Sequence, residues 1–392
     1  MTARVQHLRP RPADFGNADA LLERAAAACA RRLAPARAVT VAVNDPQRAT
    51  RSDAVLSRLA PALAGKAVRL LVACGTHRFG PAARRAFAQP LARILPAAEI
   101  AWHDCLADDL VPVGGDPAWR VHPWLVDDSA AVVAIGSVEV HYFAGLTGTH
   151  KTVTVGCGDR PSIEANHAGA LSADSRPARL AGNPVHEGIA AMLVALQTRR
   201  QVLAVNLLQV GERIVSAAAG TPLEALEALA PQARAIGCRR IPSPADALIL
   251  DAEGVLGESF YQADKAIKNS EWAIRDGGCA VLVAPCPDGI GEDHFMDLLA
   301  RCPTYEAAAE AVARQGYRLG DHKAVKLRYL TDRRGVRVFA VSDGLSDKDL
   351  RVLGFARAAD VEQGLAAAGV DPARDTVYRV PDAANVSVTV AG

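Results

Sequence analysis

Three short polar segments of this chain carry residue types that move protons and hold anions. They are Asn44-Asp45-Pro46-Gln47-Arg48, Cys74-Gly75-Thr76-His77-Arg78, and the run from His141 to His167, HYFAGLTGTHKTVTVGCGDRPSIEANH. The last opens and closes on histidine and carries Lys151 after a loop punctuated by glycine. Histidine changes charge near neutral pH, and these loops would bring two histidines, two arginines, an aspartate and a lysine together if their strands are neighbours. The set points to a site that holds a phosphate-bearing group and does proton or metal chemistry beside it. TGTHKT lacks the G-x-x-x-x-G-K-[ST] spacing, so an ATPase is not expected. Each residue also has a plain reading. Asp45 before proline suits a turn, or a surface pair with Arg48. Thr76 suits a helix cap, and Asn166-His167 a helix surface. His7, His103, His122 and His186 read as structural.

The elements that must position these residues are legible in the hydropathy pattern. Runs 36–44, 67–75 and 130–138 are rich in Val, Ile and Leu and read as buried parallel strands, each ending in a polar or glycine-bearing loop. Helical patterns lie between them at 51–65 and 80–95, with another at 222–237. Residues 200–211 read as a strand-like pair. IPSPADALILD (241–251) marks a boundary, where two prolines precede a fresh strand. A second unit follows, with a helix over 261–278, a strand over 279–286, a loop over 287–293 and a later strand over 336–343. This alternation predicts an α/β fold of two α/β domains with mainly parallel sheets, residues 1–240 and 241–392. The last strand or helix can return to the first domain. Ligands collect at the carboxyl ends of such strands, so the polar loops should share one sheet edge.

Composition narrows the class. The 392 residues hold 44 Lys+Arg against 43 Asp+Glu, a balance that offers no footprint for nucleic acid. No apolar run reaches membrane-spanning length, and MTARVQHLRPRPADF has no secretory pattern, so a cytoplasmic protein is expected. Eight cysteines form no C-x-x-C pair, which argues for reduced, mostly buried thiols.

Taken in order, the motifs resemble those of the nickel-dependent lactate racemases and their relatives. The matching pieces are D-x-x-R at Asp45 and Arg48, GTHR at 75–78, HYFAG at 141–145, Lys151, ANH at 165–167 and GNPVHE at 182–187. YQADKA at 261–266 and APCPDGIG at 284–291 continue the series. The resemblance implies a nickel pincer nucleotide, a pyridinium mononucleotide bearing a thioamide and a thiocarboxylate, with Ni(II). It implies that Lys151 forms the thioamide tether and that His167 is the protein ligand of the metal. His77 and His141 become the acid/base pair. Arg48, Gln262 and Lys265 hold the substrate, with Asp45 beside them at the cofactor.

The implied reaction racemises or epimerises a 2-hydroxy acid by reversible hydride transfer through a 2-keto intermediate. Losing the C2 hydrogen as a proton is hard beside a carboxylate. Losing it as a hydride requires an acceptor, which the cofactor supplies, and a base for the hydroxyl proton. Proteins that synthesise the pincer nucleotide are implied partners. Gln262 and Lys265 lie in the second half and the histidines in the first, so the site is expected in an interdomain cleft. The chain departs from lactate-specific members before the lysine, where TGTHK replaces a glycine-richer loop. His150 there is expected to face solvent, and His322 to stand where an aromatic lid residue would. These departures favour a larger or more polar acid than lactate. The alternatives are a sugar-acid C2 epimerase, another hydride-shuttle enzyme with the same cofactor, and a non-catalytic cofactor carrier. A zinc hydrolase lacks a ligand pattern here.

Overall fold

The computed structural model describes residues 5–11, 15–115, 118–291 and 293–391. Parts of the N-terminal stretch and Glu292 of the 287–293 loop lie outside the described residues. Two six-stranded sheets organise the chain. The first runs Arg213–Gly220, Val202–Val210, Ala130–Ser137, Ala38–Asn44, Ala67–Ala73, Glu99–Trp102. All its pairings are parallel except that of Arg213–Gly220, which returns antiparallel along Val202–Val210. The second runs Gln6–His7, Val377–Val380, Ala245–Asp251, Ile274–Val283, Arg337–Val341, Ala356–Arg357, parallel throughout.

The central strands are apolar on both faces because helices cover both. AVTVAVN at Ala38–Asn44 is buried at its five inner positions, and Val39, Val41, Ala42 and Val43 are fully buried. The covering helices carry their own start signals. Asn17 caps Ala18–Leu33 by accepting the Asp19 and Ala20 N–H groups, and Thr221 with Glu224 forms a capping box for Pro222–Gly237. All eight cysteines are unpaired and all but Cys238 are buried.

Both chain ends cross the division expected near residue 240. Gln6–His7 adds an edge strand to the second sheet, and Ser387–Val390 pairs with Cys238–Ile241.

Three local expectations are corrected. The helix expected over 261–278 ends at Ser270. A tight turn at Glu271–Ala273 follows, and the next strand already starts at Ile274. The Gly277-Gly278 pair lets that strand bulge: Gly277 has φ +69°, and a Cβ on Gly278 would lie 3.0 Å from the Asp246 carbonyl. The pair read over 200–211 is one strand, Val202–Val210. Its partner, Arg213–Gly220, was hidden in an alanine-rich run that resembles a helix. Thr76 caps no helix; the helix starts at Pro81, behind Gly80.

Strand order places the site. The chain moves outward from Ala38–Asn44 through Ala67–Ala73 to Glu99–Trp102. It then returns to the other side of Ala38–Asn44 at Ala130–Ser137. The two strands that flank this reversal leave diverging loops at their carboxyl ends, and a crevice opens between them.

Candidate active site

The loop after Ala38–Asn44 is an Asx turn. Asp45 Oδ1 accepts the Gln47 N–H at 2.9 Å, and Asp45 O accepts that of Arg48 at 3.0 Å. The buried Asp45 then uses Oδ2 on His77 Nδ1, 2.8 Å away. His77 Nδ1 is therefore the donor, and in the neutral ring Nε2 keeps its lone pair. Asp45 does not pair with Arg48. Arg48 Nη1 reaches Glu139 Oε2 at 3.2 Å, and Ser137 Oγ donates to Glu139 Oε1 at 2.7 Å.

The loop after Ala130–Ser137 folds back as a two-residue ladder, with His141 opposite Gly145. Gly145 has φ +76°, and a Cβ there would lie 2.0 Å from the Arg179 carbonyl, so only glycine fits. This pins His141, which is buried, stacked on Tyr142 and edge-on to Phe143. Its Nδ1 accepts the Ala144 N–H at 3.2 Å, and its Nε2 lies 3.4 Å from Lys151 Nζ. The neutral ring held this way carries its proton on Nε2, the reverse of His77.

Lys151 stands on a single helical turn, Thr149–Val153. Asn206 Oδ1 accepts the Thr149 N–H at 2.9 Å, and a Cβ on Gly136 would lie 3.2 Å from Thr149 N, so the turn sits tight on the sheet edge. Burial, then the Arg48 charge, brings the Lys151 pKa down to about 7. Burial, with Lys151 second, pushes His141 well below the imidazole range and His167 to about 3. His167 comes from the last turn of the helix Arg160–Ala168, and its Nδ1 is buried without a hydrogen-bond partner.

Asp45, Arg48, His77, Lys151 and His167 line one cavity of about 100 Å³. His141 lies beside it and shares an adjoining pocket with Arg48 and Lys265. The second half completes the wall. Gln262 Nε2 donates to Gln47 Oε1 at 2.7 Å, and Lys265 Nζ donates to Gln262 Oε1. Burial, then Arg48, lowers the Lys265 pKa strongly. All the site residues expected from the sequence therefore meet at this crevice.

Others were missed. Glu139, two residues past the strand and two before His141, carried only a positional signal. Tyr142, Tyr317 and the Lys323–Asp264 pair carried none. Tyr142 Oη crosses to His322 Nε2 at 3.0 Å, and Tyr317 Oη, from the second half itself, lies 2.7 Å from His322 Nδ1. The contact of Tyr142 with His322 thus joins the halves. Lys323 pairs with Asp264 at 3.1 Å between buried side chains within the second half. His150 is corrected outright. It does not face solvent but is fully buried, edge-on to His186, with centroids 5.4 Å apart.

Comparison with known proteins accords with this geometry. Residues 18–178 match the family model described as the lactate racemase N-terminal domain, and residues 242–390 the lactate racemase C-terminal domain. The chain is 26% identical over 264 residues to lactate racemase of Lactiplantibacillus plantarum, covering 63% of this chain and 58% of that protein. It is 29% identical over 182 residues to lactate racemase of Thermoanaerobacterium thermosaccharolyticum, covering 44% and 40%. The match thus spans less than two thirds of the length of these relatives. The solved lactate racemase apoprotein of T. thermosaccharolyticum superposes with TM-score 0.84 at 22% identity, over 98% of this chain and 94% of that one. A Thermotoga maritima protein superposes with TM-score 0.72 at 15% identity, over 95% and 98%. These superpositions establish the shared fold.

Proposed function

Since the chain belongs to the lactate racemase family, we propose that it is an isomerase that racemises or epimerises a 2-hydroxy acid at the crevice beside Lys151. The observation that carries the reading is the convergence of a carboxylate-held imidazole, a lysine of lowered pKa and Arg48 on one cavity, with a second buried imidazole and Lys265 at the adjoining pocket. Arg48 offers charge-assisted hydrogen bonds to the substrate carboxylate, and Gln262 orients the Lys265 amine toward the same place.

The residues fit a lysine-tethered nickel pincer nucleotide. At pH 7 and above much of Lys151 is the neutral amine that a covalent link needs. His167 offers an imidazole whose Nδ1 has no other partner. Among the described residues no cluster of three or more His, Cys, Asp or Glu could hold a metal ion. A metal at His167 would therefore bring most of its ligands with it, as a pincer does. When bound, this group supplies the hydride acceptor for the C2 hydrogen of the acid.

The chain's own residues do the proton work. His77, with Nδ1 committed to Asp45, presents an Nε2 lone pair that can take the hydroxyl proton of one enantiomer. His141 holds a proton on Nε2 at a second wall, for the face that becomes the other enantiomer. Closure of the second half over the cavity excludes water while the flat keto acid turns. Proteins that make the pincer nucleotide must supply it to this chain.

The test is conversion of single enantiomers of a panel of 2-hydroxy acids, read by chiral chromatography on protein co-produced with pincer-synthesis enzymes and nickel. The expected outcome is approach to a mixture of epimers at C2. His77→Ala and His141→Ala should each abolish it while leaving the Lys151 adduct. Configuration retained with every acid by the loaded protein would contradict the reading.

A further inference from the structure

A second cavity of about 340 Å³ is lined by residues from both halves of the molecule. It shares Thr76 and His77 with the cavity already described, so the two adjoin at those residues. Tyr261, Phe295, Leu319 and Gly320 line it from the second half. Gly320 has φ +97° and lies against Phe295, where a Cβ would be 3.6 Å from the Phe295 Cβ. Tyr261 immediately precedes Gln262, so the chamber starts where the substrate-holding helix starts.

Its charged lining has one sign: Arg78 and Arg160 line it beside His294, and no carboxylate does among the described residues. Arg160 Nε is held by Glu164 at 3.1 Å, and Glu164 Oε1 also accepts the Leu319 N–H at 3.2 Å across the halves. The guanidinium is therefore fixed in place at the junction of the halves. The cleft on the other flank, beyond Arg48, has the opposite character, since Glu139, Glu253 and Asp382 line it. An anionic tail is repelled from the Arg48 flank and attracted to the His77 flank.

We infer that the chamber beside His77 receives the distal group of the substrate, and that this group is a second carboxylate: the preferred acid is a 2-hydroxy dicarboxylate. This rests on the 2-hydroxy acid reading above. With C1 held at Arg48 and Lys265, the C3 substituent passes His77 into the chamber. A carboxylate at its end meets Arg160 and Arg78. A volume of about 340 Å³ accommodates a chain of several carbons beyond C2. A methyl group, as in lactate, leaves it empty and Arg78 and Arg160 without a substrate contact.

The experiment uses loaded protein whose tethered mass has been verified. Binding by calorimetry and turnover by chiral chromatography are measured for a four- or five-carbon 2-hydroxy dicarboxylate, for the matching 2-hydroxy monocarboxylate and for a six-carbon aldonic acid. The dicarboxylate should bind at least about tenfold more tightly than the monocarboxylate, the worth of one charge-assisted contact. Arg78→Gln and Arg160→Gln should each bring that ratio toward one, and Arg160→Lys should restore part of it. If the dicarboxylate binds selectively without turnover, the chamber assignment stands and the racemase reading falls. Equal affinity for all three acids, or preference for the aldonic acid, overturns the assignment. So does loss of the tethered mass in Arg78→Gln or Arg160→Gln, since the cations would then serve the nucleotide's phosphate.

Discussion

Asp45 accepts the Nδ1 proton of His77 at 2.8 Å, and that bond decides which ring nitrogen meets the cavity. Asp45→Asn keeps the shape but frees the ring to take the other tautomer. Racemisation should fall by about 10²–10⁴-fold, the range of a lost general base, while the tethered mass persists. Activity within a few-fold of wild type would remove Asp45 from that role. Lys151 gives a pH prediction. Its pKa is lowered to about 7 by burial and by Arg48, so the reactive neutral amine dominates above that pH and the inert ammonium below it. In cofactor-free protein, amine-reagent labelling of the Lys151 peptide, followed by mass spectrometry, should rise with a midpoint near pH 7. A midpoint near 10 would show an unperturbed lysine. Both residues were legible in the sequence because their types carry the chemistry. Glu139 was not. A glutamate after a strand is common, and only its 3.2 Å contact with Arg48 shows what it does.

At the scale of elements, the site depends on how loops leave the sheet edge. The runs of Val, Ile and Leu at Ala38–Asn44, Ala67–Ala73 and Ala130–Ser137 announced these strands, because a strand covered on both faces has no polar alternation. Arg213–Gly220 was not announced. As an edge strand it needs little β-branched character, and its alanines suit a helix equally well. The His141–Gly145 ladder is also tertiary in origin, since Gly145 is required by the Arg179 carbonyl from 34 positions later in the chain. Gly145→Ala puts a methyl group onto that oxygen at a positive φ. Loss of stability should exceed about 1 kcal/mol, the scale of an incompatible alanine, and His141 should lose its position. A lowered urea midpoint together with reduced activity is the expected result. An unchanged midpoint would show that the ladder yields freely.

Across the whole molecule, polar contacts join the two halves beside the apolar packing of Leu319. Gln47 meets Gln262, Tyr142 meets His322, and Leu319 N–H meets Glu164. No local pattern in a sequence reports such pairings, because their partners lie 180 and 155 residues apart for the last two. The alternation of strands and helices predicted two α/β units with mainly parallel sheets. It could not predict that the N-terminal strand joins the second sheet. His322→Phe keeps the ring but leaves the Tyr142 and Tyr317 hydroxyls without their partner. The expected cost is about 1–3 kcal/mol, seen in denaturant unfolding, with a raised KM from a looser closure. Unchanged stability and KM would mean that this bridge does not hold the halves.

On the proposed function, Lys151 would anchor a covalently held cofactor at the crevice of the first sheet. The most direct test is the mass of the peptide that carries Lys151, taken from protein co-produced with pincer-synthesis enzymes and nickel. The predicted result is the added mass of the pincer nucleotide on that peptide, absent in Lys151→Ala. An unmodified Lys151 peptide from wild-type protein made under those conditions would contradict it.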